Sequence, residues 1–184
     1  MAQRNTIARS LSEVGLATWF GGSLMGAVGL NGAADKVDPP EQRARVANVG
    51  WSRWTPVNLT AIGAHLVGST MLTGANKGRL VGQKNVATTA IARTALTAGA
   101  LGATAYARVL GRKMMKAGDV PVEGGTAPSA QTPPEVAGAQ RKLRMLQWVI
   151  PALTGSLLVM DALMGEQQRP HEVAGGIVQR LLPT

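Results

Sequence analysis

The sequence predicts an all-α fold: an integral membrane bundle of four transmembrane helices, with a short interfacial helix in the first connector. Three observations predict it. Charged residues make up only 16% of the 184 residues, against roughly a quarter in a typical soluble domain. The charges are also unevenly spread. Four stretches of 21 to 23 residues carry at most one Asp, Glu, Lys or Arg each, and about 20 apolar residues suffice for a helix to cross a bilayer core. Basic connectors separate these stretches, whereas a soluble helix needs a polar face on which charges recur every three or four residues.

Taken in order, the first span covers about 12–34 and is free of charge from Val14 to Ala34. The small residues before Asp35 give it a second reading as a cleaved signal peptide, although the apolar run is longer than a usual signal core. In the first connector, Asp38-Pro39-Pro40-Glu41 is a helix-start signature, with proline tolerated in the first turn and acid at the positive end. Residues 42–48 therefore read as a short helix near the membrane surface, followed by Trp51 and Trp54 at the span boundary, where aromatic side chains concentrate. The second span covers about 55–76 and is interrupted only by His65. The third covers about 87–109, is mostly Ala, Thr and Gly, and holds one charge, Arg93. Residues 77–84 join these two as an antiparallel hairpin. The third connector has basic ends and a middle, about 118–139, rich in Pro, Gly, Ala, Ser and Thr. Its composition predicts a disordered linker. The fourth span covers about 144–165 with one charge, Asp161. A C-terminal tail, 166–184, holds at most a weak amphipathic helix, broken by Gly175-Gly176.

The formal net charge of +9 would point to nucleic acid in a soluble domain. Here the cations lie at span ends, where anionic lipid headgroups attract them, and there is neither a stacking platform nor an insertable helix; nucleic acid is not expected as a partner. The side of the N-terminus carries seven Lys and Arg, and the side of connectors one and three carries eleven. Positive residues stay inside, so those connectors are expected in the cytoplasm and both termini outside. The Ala-, Gly- and Arg-rich composition fits a bacterial inner membrane.

Two kinds of residue stand out within the spans. Small residues recur four apart: Gly22 and Gly26 in the first, Ala64 and Gly68 in the second, Gly99 and Ala103 in the third. Such spacing lets helix backbones approach closely, within one bundle or across a dimer face. The second kind is ionisable. A charge at bilayer depth costs a few kcal/mol unless it is paired or reaches the interface. Arg93 lies near the start of span three and Asp161 near the end of span four, so both sit at similar depth on one side. Glu13, at the start of span one, is on that side too, and a cluster of Glu13, Arg93 and Asp161 is geometrically allowed. His65, near mid-span, is expected to hydrogen-bond across helices to a hydroxyl, to Asn58 or to a backbone carbonyl.

Zero Cys excludes disulfides, thiol catalysis and Cys-ligated metal sites. No phosphate-binding loop, dinucleotide fingerprint, HExxH or GxSxG occurs. No catalytic residue, metal site or cofactor is expected. The first functional expectation is a structural, accessory-subunit or assembly role, with a membrane-protein partner or a second copy and with the lipid bilayer around it. The second is a small transporter or proton-linked permease using His65, Arg93 and Asp161. The third is a membrane redox protein binding haem or quinone.

Overall fold

The computed structural model describes residues 5–75 and 84–166. The expected connector at 77–84 lies almost wholly outside that set, as does the tail beyond Glu166. Helix α1 (Thr6–Met25) runs through one π turn (Gly26–Leu30) into the short α2 (Asn31–Ala34), and the three make one rod. Helix α3 spans Glu41–Ala75, α4 Lys84–Ala117 and α5 Pro134–Glu166. A two-stranded antiparallel hairpin, β1 (Val122–Gly124) and β2 (Ala127–Pro128), pairs Val122 with Pro128 and Gly124 with Ala127.

The all-α expectation holds at that level. Among the described residues one helix, over Pro134–Met164, is long and apolar enough to cross a membrane, with a mean hydropathy of 1.4. The other long helices have the length but are diluted by Ala, Gly, Thr and polar residues at their connector ends.

The short interfacial helix is corrected. Residues 42–48 do not form a separate helix; they begin the 35-residue α3, which continues through Pro56. Proline removes one intrahelical hydrogen bond and crowds the preceding turn. Tertiary packing outweighs that cost, because the indoles of Trp51 and Trp54, just before Pro56, fill the space left by Gly26 of the π turn and Gly22 of α1 respectively. Thr55 Oγ1 donates to the carbonyl of Trp51 at 2.8 Å and Thr60 Oγ1 to that of Pro56 at 3.0 Å.

The disordered linker is corrected as well. Helix α4 extends to Ala117 and stops at Gly118, whose φ of +74° is the left-handed conformation that ends many helices. The chain then folds back as the hairpin, and α5 starts at Pro134, ten residues before the expected span. The hairpin makes no core of its own. It inserts Val122, 1% exposed, among Ala44, Leu110, Met114, Val136 and Leu146. Its backbone is held by side chains from three elements. Asp35 Oδ1 accepts from the Gly125 amide at 3.0 Å, Arg43 Nη1 donates to the Glu123 carbonyl at 3.1 Å, and Gln140 Nε2 donates to the Gly124 carbonyl at 3.0 Å. Val122→Asp would place a charge in that apolar pocket. Proteolysis within residues 118–133 is expected to accelerate at least about tenfold while the helical circular dichroism stays unchanged.

The long helices are arranged around α1. It packs against α3 on one side and α5 on the other, and α4 packs against α5. Helices α3 and α4 touch at few positions, so a cleft separates them. The second apolar core, Leu16, Trp19, Ile62, Ala100, Ile150 and Leu157, fills the middle of the bundle.

Candidate functional site

Two polar features occupy opposite halves of the bundle. The first lies towards the start of α1. Arg93 on α4 reaches Asp161 on α5 with both ends of its guanidinium fork: Nε lies 2.8 Å from Oδ1, and Nη2 donates to Oδ2 at 3.0 Å. The same Nη2 lies 3.2 Å from Ser12 Oγ of α1 and 3.3 Å from Ser69 Oγ of α3, and the two hydroxyls are 3.0 Å apart. One guanidinium thus ties together all four long helices. Both partners of the ion pair are about 15% exposed, and paired geometry of this kind is what lets charges persist away from water.

His65, 1% exposed, completes the cluster. Its Nδ1 lies 3.0 Å from the Ser12 carbonyl and 3.3 Å from Ser12 Oγ. A carbonyl only accepts, so Nδ1 carries a proton in this arrangement. Nε2 is buried without a hydrogen-bond partner, and the ring stands edge-on to Trp19 at 6.4 Å between centroids. Local sequence explains the placement: His65 and Ser69 are one helical turn apart and share the face of α3 that meets Ser12.

Of the residues singled out from sequence, the structure brings Arg93, Asp161 and His65 together and leaves Glu13 out. Ser12 takes the inward position, and a step of one residue turns Glu13 by about 100° towards the outside. There it is half exposed, 3.9 Å from Arg9 one turn earlier. Gly68 meets backbone: a Cβ there would collide with the Ala8 carbonyl and the Ser12 amide. Gly22 and Gly26 seat Trp54 and Trp51 of the same chain. Ala64 is half buried, Gly99 faces Leu153, with 3.6 Å from its would-be Cβ to Cδ1, and Ala103 packs against both apolar cores. Sequence reasoning missed Ser12, Ser69 and Gly15. The signal for Gly15 is its spacing of seven from Gly22 along one face of α1.

The second feature is the cleft between α3 and α4. It has a volume of about 310 Å³, at the lower end of small-molecule sites of ~300–1,000 Å³. Three of the four tryptophans, Trp19, Trp51 and Trp54, line it together with Leu59, Ile62 and Leu101. Two of the indoles are tethered: Trp19 Nε1 donates to Thr104 Oγ1 at 3.2 Å and Trp51 Nε1 to Asn31 Oδ1 at 3.0 Å. Asn31 Nδ2 in turn donates to Gln147 Oε1 at 2.8 Å. Three polar atoms on lining residues are buried without a hydrogen-bond partner: Trp54 Nε1, Asn58 Oδ1 and Arg108 Nε. Towards the hairpin end a second hollow, of about 420 Å³, shares Asn48 with the first and is bordered by Arg45, Arg53 and Asp119.

No family model, curated protein or solved structure matches this chain. The site therefore has to be read from its own chemistry. The ion-pair cluster is a polar cross-link with its charges matched. The cleft is an aromatic cavity, three of whose lining residues hold a buried polar atom with no hydrogen-bond partner among the described residues.

Proposed function

We propose that this chain is a multi-pass integral protein of a bacterial inner membrane, with a structural, accessory-subunit or assembly role. One observation carries the reading: the outer faces of the helices are apolar, while polar side chains are buried beside the two apolar cores. Large apolar side chains project outward along all four long helices, among them Val14 (65% exposed), Val67 (55%), Ile91 (70%) and Val159 (60%). Meanwhile Ser12, His65, Asn31, Gln140 and Thr154 are buried. In water such a surface costs free energy at every position; in lipid it is the expected one. The apolar Pro134–Met164 helix supports the same reading, and so do the cations gathered at the hairpin end. Within this reading the Arg93–Asp161 cross-link is a clamp that fixes how the helices assemble, and a fixed shape with apolar outer faces suits an accessory subunit.

The test uses the absence of native Cys and the exposure of Ala130 beside the hairpin. Ala130→Cys is expected to remain in carbonate-washed membranes and to react with an impermeant maleimide only after cell lysis. Release by carbonate would overturn the membrane reading. Labelling of intact cells would reverse the orientation.

A proton-linked permease is the second reading, supported by the unpartnered His65 Nε2 in the same cluster as the ion pair. It requires His65→Gln to abolish proton flux in reconstituted vesicles. Unchanged flux would remove it.

A further inference from the structure

The clamp uses none of the cleft between α3 and α4, and three polar atoms on its lining residues have no hydrogen-bond partner among the described residues. Burying a donor or acceptor without a partner is costly. Here three such atoms lie on residues lining one cavity: two N–H donors, on Trp54 and Arg108, and the amide oxygen of Asn58. We infer that the cleft is a binding site for one anionic phospholipid, an inference that rests on the membrane reading above.

Three features define the class of ligand. The inner wall is apolar and aromatic, as an acyl chain requires. Asn58, one turn after Trp54 on α3, puts a polar amide on the lining at intermediate depth, the level at which ester and glycerol oxygens would lie. The hairpin end is basic. Arg45 is matched by Asp119 at 3.3 Å, but Arg53 and Arg108 have no carboxylate partner among the described residues. Across residues 35–53 and 108–144, eleven Lys and Arg face six Asp and Glu. A neutral lipid would leave both free arginines uncompensated, and anionic headgroups are attracted to such clusters. Chain, polar middle and basic mouth succeed one another from the centre of the bundle towards the hairpin end, which is the order of parts in a phospholipid.

The tryptophans supply the readout. Trp148, on the outer surface and 52% exposed, reports on bulk lipid, and the other three line the cleft. The full-length Trp148→Phe protein is reconstituted in phosphatidylcholine vesicles doped with brominated phosphatidylglycerol or brominated phosphatidylcholine, and fluorescence quenching is followed. Half-maximal quenching by the anionic lipid is expected at a mole fraction at least about fivefold lower than by the neutral one. Arg108→Gln is expected to erase that difference. Arg53→Gln, at an exposed position, is expected to reduce it. Equal quenching by the two lipids overturns the proposal, as does a preference that survives both substitutions. Brominated stearate or a quinone that displaces the anionic phospholipid at equal concentration would assign the cleft to that ligand instead. Protein that does not float with the vesicles fails the membrane reading itself, whereas protein that floats but shows no preference fails only the lipid site.

Discussion

Arg93→Leu and Asp161→Leu are each expected to destabilise the folded chain by about 3 kcal/mol or more, and the double substitution to cost far less than the sum of the two. Each single change strands one charge, 15% or 14% exposed, without the partner that offset its desolvation. Removing both leaves Ser12 and Ser69, whose hydroxyls are already 3.0 Å apart and can satisfy each other. Two leucines then fill the space beside that hydroxyl pair. Reversible unfolding in detergent, followed by tryptophan fluorescence, gives the four free energies of the cycle, and a coupling of at least about 2 kcal/mol is expected for groups in direct contact. Additive losses would mean that the two charges are stabilised independently, and the clamp would lose its basis. Asp161→Asn separates charge from shape. It keeps one acceptor for Arg93 but removes the anion, and its cost is expected to lie close to that of Asp161→Leu.

That Arg93 and Asp161 lie level was legible in the sequence, because it depends only on depth. Antiparallel helices with one charge each near the same end bring those charges level. The exclusion of Glu13 was not legible, because depth says nothing of rotation. Glu13 sits at the right height and on the wrong face, and its neighbour Ser12 carries no signal that marks it as the inward residue. The partner of His65, a main-chain carbonyl, has no side-chain identity to read at all. Two larger departures share one cause. The composition of 118–139 asks whether the segment can bury its own surface, and it cannot. The hairpin folds by borrowing the bundle's core through Val122 and the bundle's side chains through Asp35, Arg43 and Gln140. Pro56 likewise reads as a boundary until the indoles of Trp51 and Trp54 are seen resting on glycines of another helix. Local rules describe what a segment prefers alone, and in both places a distant partner decides.

The largest effect of any single substitution is expected at Gly68. A Cβ at this position would meet the Ala8 carbonyl and the Ser12 amide, and one at Gly15 would meet the Ala61 carbonyl and the His65 amide. The two glycines are reciprocal: each lets its own helix rest on the other's backbone. Backbone cannot rotate aside as a side chain can, so a larger residue has to push α1 and α3 apart along their whole crossing. That separation would pull Ser12 from His65 and from Ser69, two contacts within the polar cluster. Gly68→Val is therefore expected to cost about 3 kcal/mol or more, the upper end for overpacking, and to abolish accumulation of folded protein. Gly63, five residues earlier on the same helix, has nothing within 4 Å of a built Cβ. Gly63→Ala is expected to be neutral or stabilising by up to about 1 kcal/mol, because alanine is the better helix former. The pair controls for helix propensity, since both replace a glycine inside α3. Equal behaviour of the two variants in a thermal unfolding assay would show that the α1–α3 approach is looser than the structure has it. A collapse confined to Gly68→Val would place the small-residue stripes of this sequence within the chain, as the seats of Ser12, Trp51 and Trp54, and leave a second copy to dock on some other face.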